Sequence, residues 1–104
     1  MSTKGGTKYD EGKIDWSLMP IEPMEEILKV FAFGEKKYHR FNYRQGFKQS
    51  RLIAAAFRHL TAHVRGEDID PESGLRHLGH LGCCVMMLLH NILDGKSEDD
   101  RYKS

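Results

Sequence analysis

The sequence predicts an all-α protein, with three main helices after an extended leader, assembled as a helical-bundle homo-oligomer. Three observations lead there. Met24, Ile27, Leu28 and Phe31 repeat at the i, i+3, i+4, i+7 spacing of an amphipathic helix. Ile53, Ala56, Phe57, Leu60 and Val64 share one face of a second. The run LGHLGCCVMMLL, Leu78 to Leu89, is apolar almost all round, and a helix of that kind is normally enclosed by others. Three helices in 104 residues supply few neighbours, so the run predicts further copies of the chain around it.

The elements follow in order along what reads as a single domain, 1–104. Residues 1–19 hold Gly5, Gly6 and Gly12 with scattered charge and no helical period, the pattern of an extended leader. The helical core, 20–95, begins at Pro20 or Pro23, and its first helix runs to about Tyr38. HRFNYRQGFKQS then reads as a loop. A second helix starts near Ser50, a plausible cap, and ends at Gly66, suited to a left-handed C-terminal cap. In GEDIDPESGLRHLGH, Asp70 suits an N-cap, Pro71 a first helical position and Glu72 the positive end of the helix dipole, which predicts a third helix from Pro71 to about Leu93. Residues 96–104 form a polar tail, expected to be mobile.

Composition narrows the function classes. A formal charge of +1 gives no electrostatic case for duplex nucleic acid. No apolar run is long enough for a membrane span, and no secretory leader is evident. Cys83 and Cys84 are adjacent in the apolar run, a poor disulfide framework and a good fit to a reducing compartment. The expectation is a cytoplasmic protein, in the host cytoplasm if phage-encoded.

Several polar residues are not explained by helix formation alone. At 100° per residue Glu35 falls about 20° from Met24 and about 40° from Phe31, inside the apolar stripe, where a carboxylate needs a cation, a metal or strong hydrogen bonds. The alternative is that Gly34 breaks the helix and turns Glu35 outward. His59 and His63 are four apart and His77 and His80 three apart, so each pair shares a helix face and offers imidazoles to a metal, or simply to hydrogen bonds. Glu67, Asp68 and Asp70 offer oxygens to Mg²⁺ or Mn²⁺, or else form a solvated capping loop. Lys13, Lys36, Lys37, Arg40 and Arg44 lie among Tyr9, Trp16, Tyr38, Phe41 and Tyr43, a mixture that pairs phosphates and stacks bases. There is no GxxxxGK[ST], GxGxxG, CxxC or adjacent His-Asp pair, which argues against P-loop, Rossmann and His-Asp metallohydrolase sites.

KYDEGKIDWSLMP, FGEKKYHRFNY and AAFRHLTAHVRGEDIDPESGLRHLGH together resemble the phage-associated dATP/dGTP diphosphohydrolase N-terminal domain family, from about Tyr9 to about Leu93. That family is similar in outlook to the all-α nucleotide pyrophosphohydrolases, helical oligomers using carboxylate-bound Mg²⁺ or Mn²⁺. The resemblance implies cleavage of a purine dNTP to dNMP and pyrophosphate, with a small-molecule nucleotide as partner. Residue by residue it picks out Lys13, Glu35, Lys36, Tyr38, Asn42, Arg58, His59, Glu67, Asp68, Asp70, His77 and His80. On this reading Glu35, His59 and His77 are catalytic, and Glu35, Glu67, Asp68, Asp70 and His80 hold metal. Lys13, Trp16, Lys36, Tyr38, Asn42 and Arg58 bind the nucleotide.

The chain departs from the broader pyrophosphohydrolases in its acids. Glu22 and Glu25 have the ExxE spacing but stand at a helix start, Glu67 and Asp70 have the ExxD spacing but stand in a loop, and Lys29 replaces a further acid. A second expectation follows: a non-catalytic phage protein that sequesters a cyclic or ADP-ribose-type nucleotide signal.

Overall fold

The computed structural model describes residues 11–103. Tyr9 and the first half of the leader lie outside the described residues. Three α-helices form the body: α1, Ile21–Lys37; α2, Gln49–Val64; and α3, His77–Leu93. Short 3-10 turns precede α1, at Trp16–Leu18, and follow it, at Asn42–Gln45. Among the described residues there is no strand, only the isolated bridges Lys48–Glu98 and Ile69–Arg76.

Helix α3 is the element on which both α1 and α2 pack. Small residues permit this closeness. A Cβ at Gly79 would lie 3.1 Å from the Glu26 carbonyl oxygen and 3.4 Å from a Val30 methyl, and one at Gly82 would strike the Ile27 side chain. Val30, Leu52, Cys83 and Cys84 are the buried apolar residues, all on faces directed at α3 or belonging to it. Burial pushes the Cys83 thiol up to about 12, far from the thiolate a nucleophile needs.

The first two helices match the expected spans to within a residue or so, and Gly66 ends α2 with φ +97°. The third does not start at Pro71. The Asp70 amide donates to the Leu75 carbonyl (2.8 Å) and the Gly74 amide to the Asp70 carbonyl (2.7 Å), with Gly74 at φ +72°. A left-handed residue at 74 closes a tight turn and forbids helix until His77. Asp, Pro, Ser and Gly all favour turns, and here that tendency prevails over helix initiation.

The tail also differs from expectation. The Gln49 amide donates to the Glu98 carbonyl (2.9 Å), and the Ser50 amide and hydroxyl both bond to the Asp100 carboxylate. The Glu98 carbonyl and the Asp100 carboxylate, not the Ser50 side chain, therefore satisfy the amides of Gln49 and Ser50 at the start of α2. These bonds hold Asp100 below its ordinary carboxylate range.

Gly79→Val should cost about 1–3 kcal/mol by overpacking the α1–α3 contact. Gly34→Ala has no atom within 4 Å to meet, and should be neutral or gain about 0.5–1 kcal/mol from helix propensity. Urea unfolding of the two variants measures both; equal stabilities would show that the close approach at Gly79 is unimportant.

Candidate functional site

The site forms where the loop between α2 and α3 folds back over the start of α3. Glu67, Asp68 and Asp70 leave α2 after Gly66, the Ile69–Arg76 bridge closes the loop, and the His77 amide donates to the Asp68 carbonyl at 2.9 Å. This brings the acids back beside His59 of α2 and His77 and His80 of α3. His77 and His80 are buried and His59 half-buried.

The three rings make one cluster. His59 stacks on His80 with centroids 4.4 Å apart and planes 9° from parallel, and lies 5.1 Å from His77. His59 Nδ1 and His77 Nδ1 are 2.8 Å apart, and His77 Nε2 is 2.7 Å from Glu67 Oε1. His80 Nε2 is 2.6 Å from Ser73 Oγ and 3.3 Å from Asp70 Oδ2. Ligand atoms of His59, Asp70 and His80 all lie within 4.8 Å of one another, and two imidazoles with one carboxylate are a donor set suited to a divalent ion. Burial, together with the neighbouring histidines, holds His59 below its ordinary value; burial does the same for His80 against the opposing pull of Asp70.

Beside the cluster a cavity of about 700 Å³ opens between the second half of α1, the loop after it and α2, with α3 as its floor. Asp70, His59 and His80 stand in its wall, together with Lys37, Arg40, Arg51 and Arg58, and aromatic rings line the side formed by α1 and its following loop. Cations and ring faces around a wet cleft suit phosphate and base.

The expected residues divide as follows. Glu35, Tyr38, Asn42 and Arg58 line this cavity along with His59, Asp70 and His80. His77 stands behind His59, one hydrogen bond removed, and Glu67 behind His77, two removed. Asp68 is exposed and faces His63 at 3.8 Å. Lys13, Trp16 and Lys36 are exposed and away from the cavity lining, with Trp16 at 69% exposure. Glu35 is not buried in the stripe: its side chain is 43% exposed and accepts from Arg40 Nη1 at 2.9 Å. Helix α1 remains regular through Gly34, so Glu35 reaches the rim because α3 covers only part of the stripe. Three of the expected metal ligands, Glu35, Glu67 and Asp68, therefore stand apart from His80 and Asp70, Glu35 and Asp68 most clearly.

Ser73, Arg51 and Phe33 were not singled out from sequence. Ser73 Oγ lies between Asp70 (3.3 Å) and His80, and the Asp-x-x-Ser spacing of a side-chain-stabilised turn was the available signal. Phe33 meets the edge of His80 at 6.2 Å. Neither it nor Arg51 has a local signature.

An all-α scaffold presenting a histidine–carboxylate cluster on a cation-lined cleft defines a class of small-molecule site suited to phosphorylated ligands. The chain belongs to the family described as dATP/dGTP diphosphohydrolase, N-terminal, which matches residues 3–101. It is 38% identical over 96 residues to a dATP/dGTP diphosphohydrolase of Salmonella phage PMBT28, an alignment covering 92% of this chain and 33% of the relative. The chain thus spans about a third of that relative's length. No solved structure matches it.

The lowered values of His59 and His80 set a sign for acid stability. The unfolded chain takes up protons first, so their contribution is intact above the ordinary value of 6.5 and declines as pH falls through and below it. Metal-free protein should lose Tm between about pH 7 and 5, and His59→Gln/His80→Gln should flatten that slope. A slope unchanged in the double variant would assign it elsewhere.

Proposed function

We propose that the chain binds a purine deoxynucleoside triphosphate in the cavity between α1 and α2 and hydrolyses it to the monophosphate and pyrophosphate. The supporting observation is the adjacency of the His59–Asp70–His80 donors to a cleft walled by cations and aromatic rings. Family membership and the printed name of the phage relative point the same way. In this reading Arg40, Arg51 and Arg58 neutralise phosphate oxygens, Tyr38 offers a ring to the base, and Asn42 an amide to its edge. His59, Asp70 and His80 would hold a divalent ion, with Mg²⁺ or Mn²⁺ the cofactors the resemblance implies. When bound, such an ion polarises phosphate and lowers the pKa of water. Glu35, on the rim of the same cavity, would take a proton from water as it adds across the α–β anhydride and pyrophosphate leaves. The rest of the reading is a single domain acting in the cytoplasm of the phage host.

A second reading is sequestration of a cyclic or ADP-ribose-type nucleotide without turnover. Glu22 and Glu25 are exposed at the start of α1 and do not line the cavity, so the acids of an ExxE clamp stand apart from the cluster.

A chromatographic product assay across dNTPs, NTPs and cyclic nucleotides, with divalent ion or with EDTA, separates the two. Metal-dependent release of monophosphate and pyrophosphate is expected, reduced at least roughly 10²-fold in kcat/KM by His59→Ala or Glu35→Ala. Intact nucleotides that co-elute with the protein would overturn hydrolysis and leave sequestration.

The proposal extends to a homo-oligomer. Leu78, Val85, Leu89 and Ile92 of α3 and Phe57 and Val64 of α2 are exposed, while few apolar residues are buried in one chain. A second copy covering these faces would complete the core that α3 lacks. Sedimentation should show an oligomer that Val85→Glu dissociates; a wild type that stays monomeric at high concentration would refute it.

A further inference from the structure

The hydrogen-bond chain behind His59 carries directional information. An ionised carboxylate only accepts, so Glu67 Oε1, 2.7 Å from His77 Nε2, requires the proton on that nitrogen. In the tautomer whose single proton is on Nε2, directed at Glu67, His77 Nδ1 can only accept. The 2.8 Å contact between the two Nδ1 atoms then places the proton on His59 Nδ1. His59 is left with a lone pair on Nε2. This is an assignment from the network, since the proton positions follow from donor and acceptor roles.

The second imidazole is differently held. Ser73 Oγ contacts His80 Nε2 at 2.6 Å and can instead donate to Asp70 Oδ2 at 3.3 Å. The hydroxyl can therefore turn away when His80 gives its lone pair to a cation. One ring nitrogen of each of His59 and His80 and an Asp70 carboxylate oxygen fall within 4.8 Å of one another. Two imidazoles out of three protein donors match borderline first-row ions, whereas Mg²⁺ takes oxygen ligands and gives up water reluctantly.

We propose that His59, Asp70 and His80 form a mononuclear site for a first-row transition ion, of the Mn²⁺–Zn²⁺ series rather than Mg²⁺, and that Glu67, acting through His77, is a positioning residue that keeps His59 Nε2 bare. This rests on the reading above that the cluster takes a divalent ion, and it narrows that ion's class. Glu67 and His77 are not ligands in this scheme; they set the tautomer and orientation of one. Such outer partners typically change metal affinity 10–100-fold.

The test uses the full chain, stripped with chelator and titrated with Co²⁺ by its ligand-field absorption, and with Zn²⁺ and Mg²⁺ by calorimetry. One Co²⁺ or Zn²⁺ per chain is expected, undisplaced by excess Mg²⁺. His59→Ala and Asp70→Asn should each abolish it, and Asp94→Asn, exposed on the far side of α3's end, should not change it. Glu67→Gln should weaken Co²⁺ binding roughly 10–100-fold without lowering the Tm of the metal-free protein. Nitrogen-detected NMR should show His59 as the Nδ1–H tautomer in the wild type and a shift toward Nε2–H in Glu67→Gln. Equal affinity for Mg²⁺ and Co²⁺, binding indifferent to His59, or an unchanged tautomer in Glu67→Gln with wild-type affinity would overturn the proposal. Hydrolysis is scored separately: a chain that binds Co²⁺ as expected yet leaves dNTPs intact overturns only the hydrolase, and one that hydrolyses with Mg²⁺ independently of His59 overturns only the site.

Discussion

The close packing of the first turns of α3 beneath α1 is the constraint on which the rest of the structure depends. Gly79 brings the backbone of α3 to within van der Waals reach of the Glu26 carbonyl, and no larger side chain would fit without displacing α1. That approach sets Phe33 of α1 against the edge of His80, which His59 covers on its face, so that His80 is buried near the start of α3. Desolvation then keeps His80 neutral under ordinary conditions, and a neutral imidazole has a lone pair to offer. Were α1 to sit further away, His80 would lose the cover of Phe33 on one edge and take up water there.

The loop after α2 adds the acids by a different device. Its turn is closed by backbone bonds between Asp70, Gly74 and Leu75, so the Asp70 side chain is committed to the site side of the loop. Ser73 follows from the same turn and touches both Asp70 and His80. Glu67 meets His77 because Gly66 reverses the chain as α2 ends. One short segment thus supplies a carboxylate in the cluster and a second behind it. The two play different chemical parts because one faces His80 and the other faces His77.

Much of the helical architecture was legible from periodicity. Met24 to Phe31 and Ile53 to Val64 each carry one apolar face, and such faces form helices wherever a neighbour exists to cover them. The start of α3 was not legible, since Asp70-Pro71 satisfies the local rules for both a helix cap and a turn, and the left-handed Gly74 decides between them. Glu35 shows the same limit on the site. Its angular position on α1 is as computed from the sequence, but whether that angle faces protein or water depends on how far α3 extends beneath it. Asp100 capping α2 across fifty positions of sequence has no local signal at all.

By itself, the sequence determined the first two helices and the body of the third, that Gly66 ends the second helix, that the cysteines belong to the core, and that His59, His77, His80 and the acids of 67–70 are out of place in a purely structural account. These are consequences of local conformational preference and of apolar period, which act over a few residues. Only the tertiary structure decided that three of those residues converge while Lys13, Trp16 and Lys36 stay outside, and that His77 and Glu67 stand behind His59 rather than beside it. Convergence depends on helix crossing and loop closure, which are set by contacts between distant segments, above all the space left by the missing side chain at Gly79.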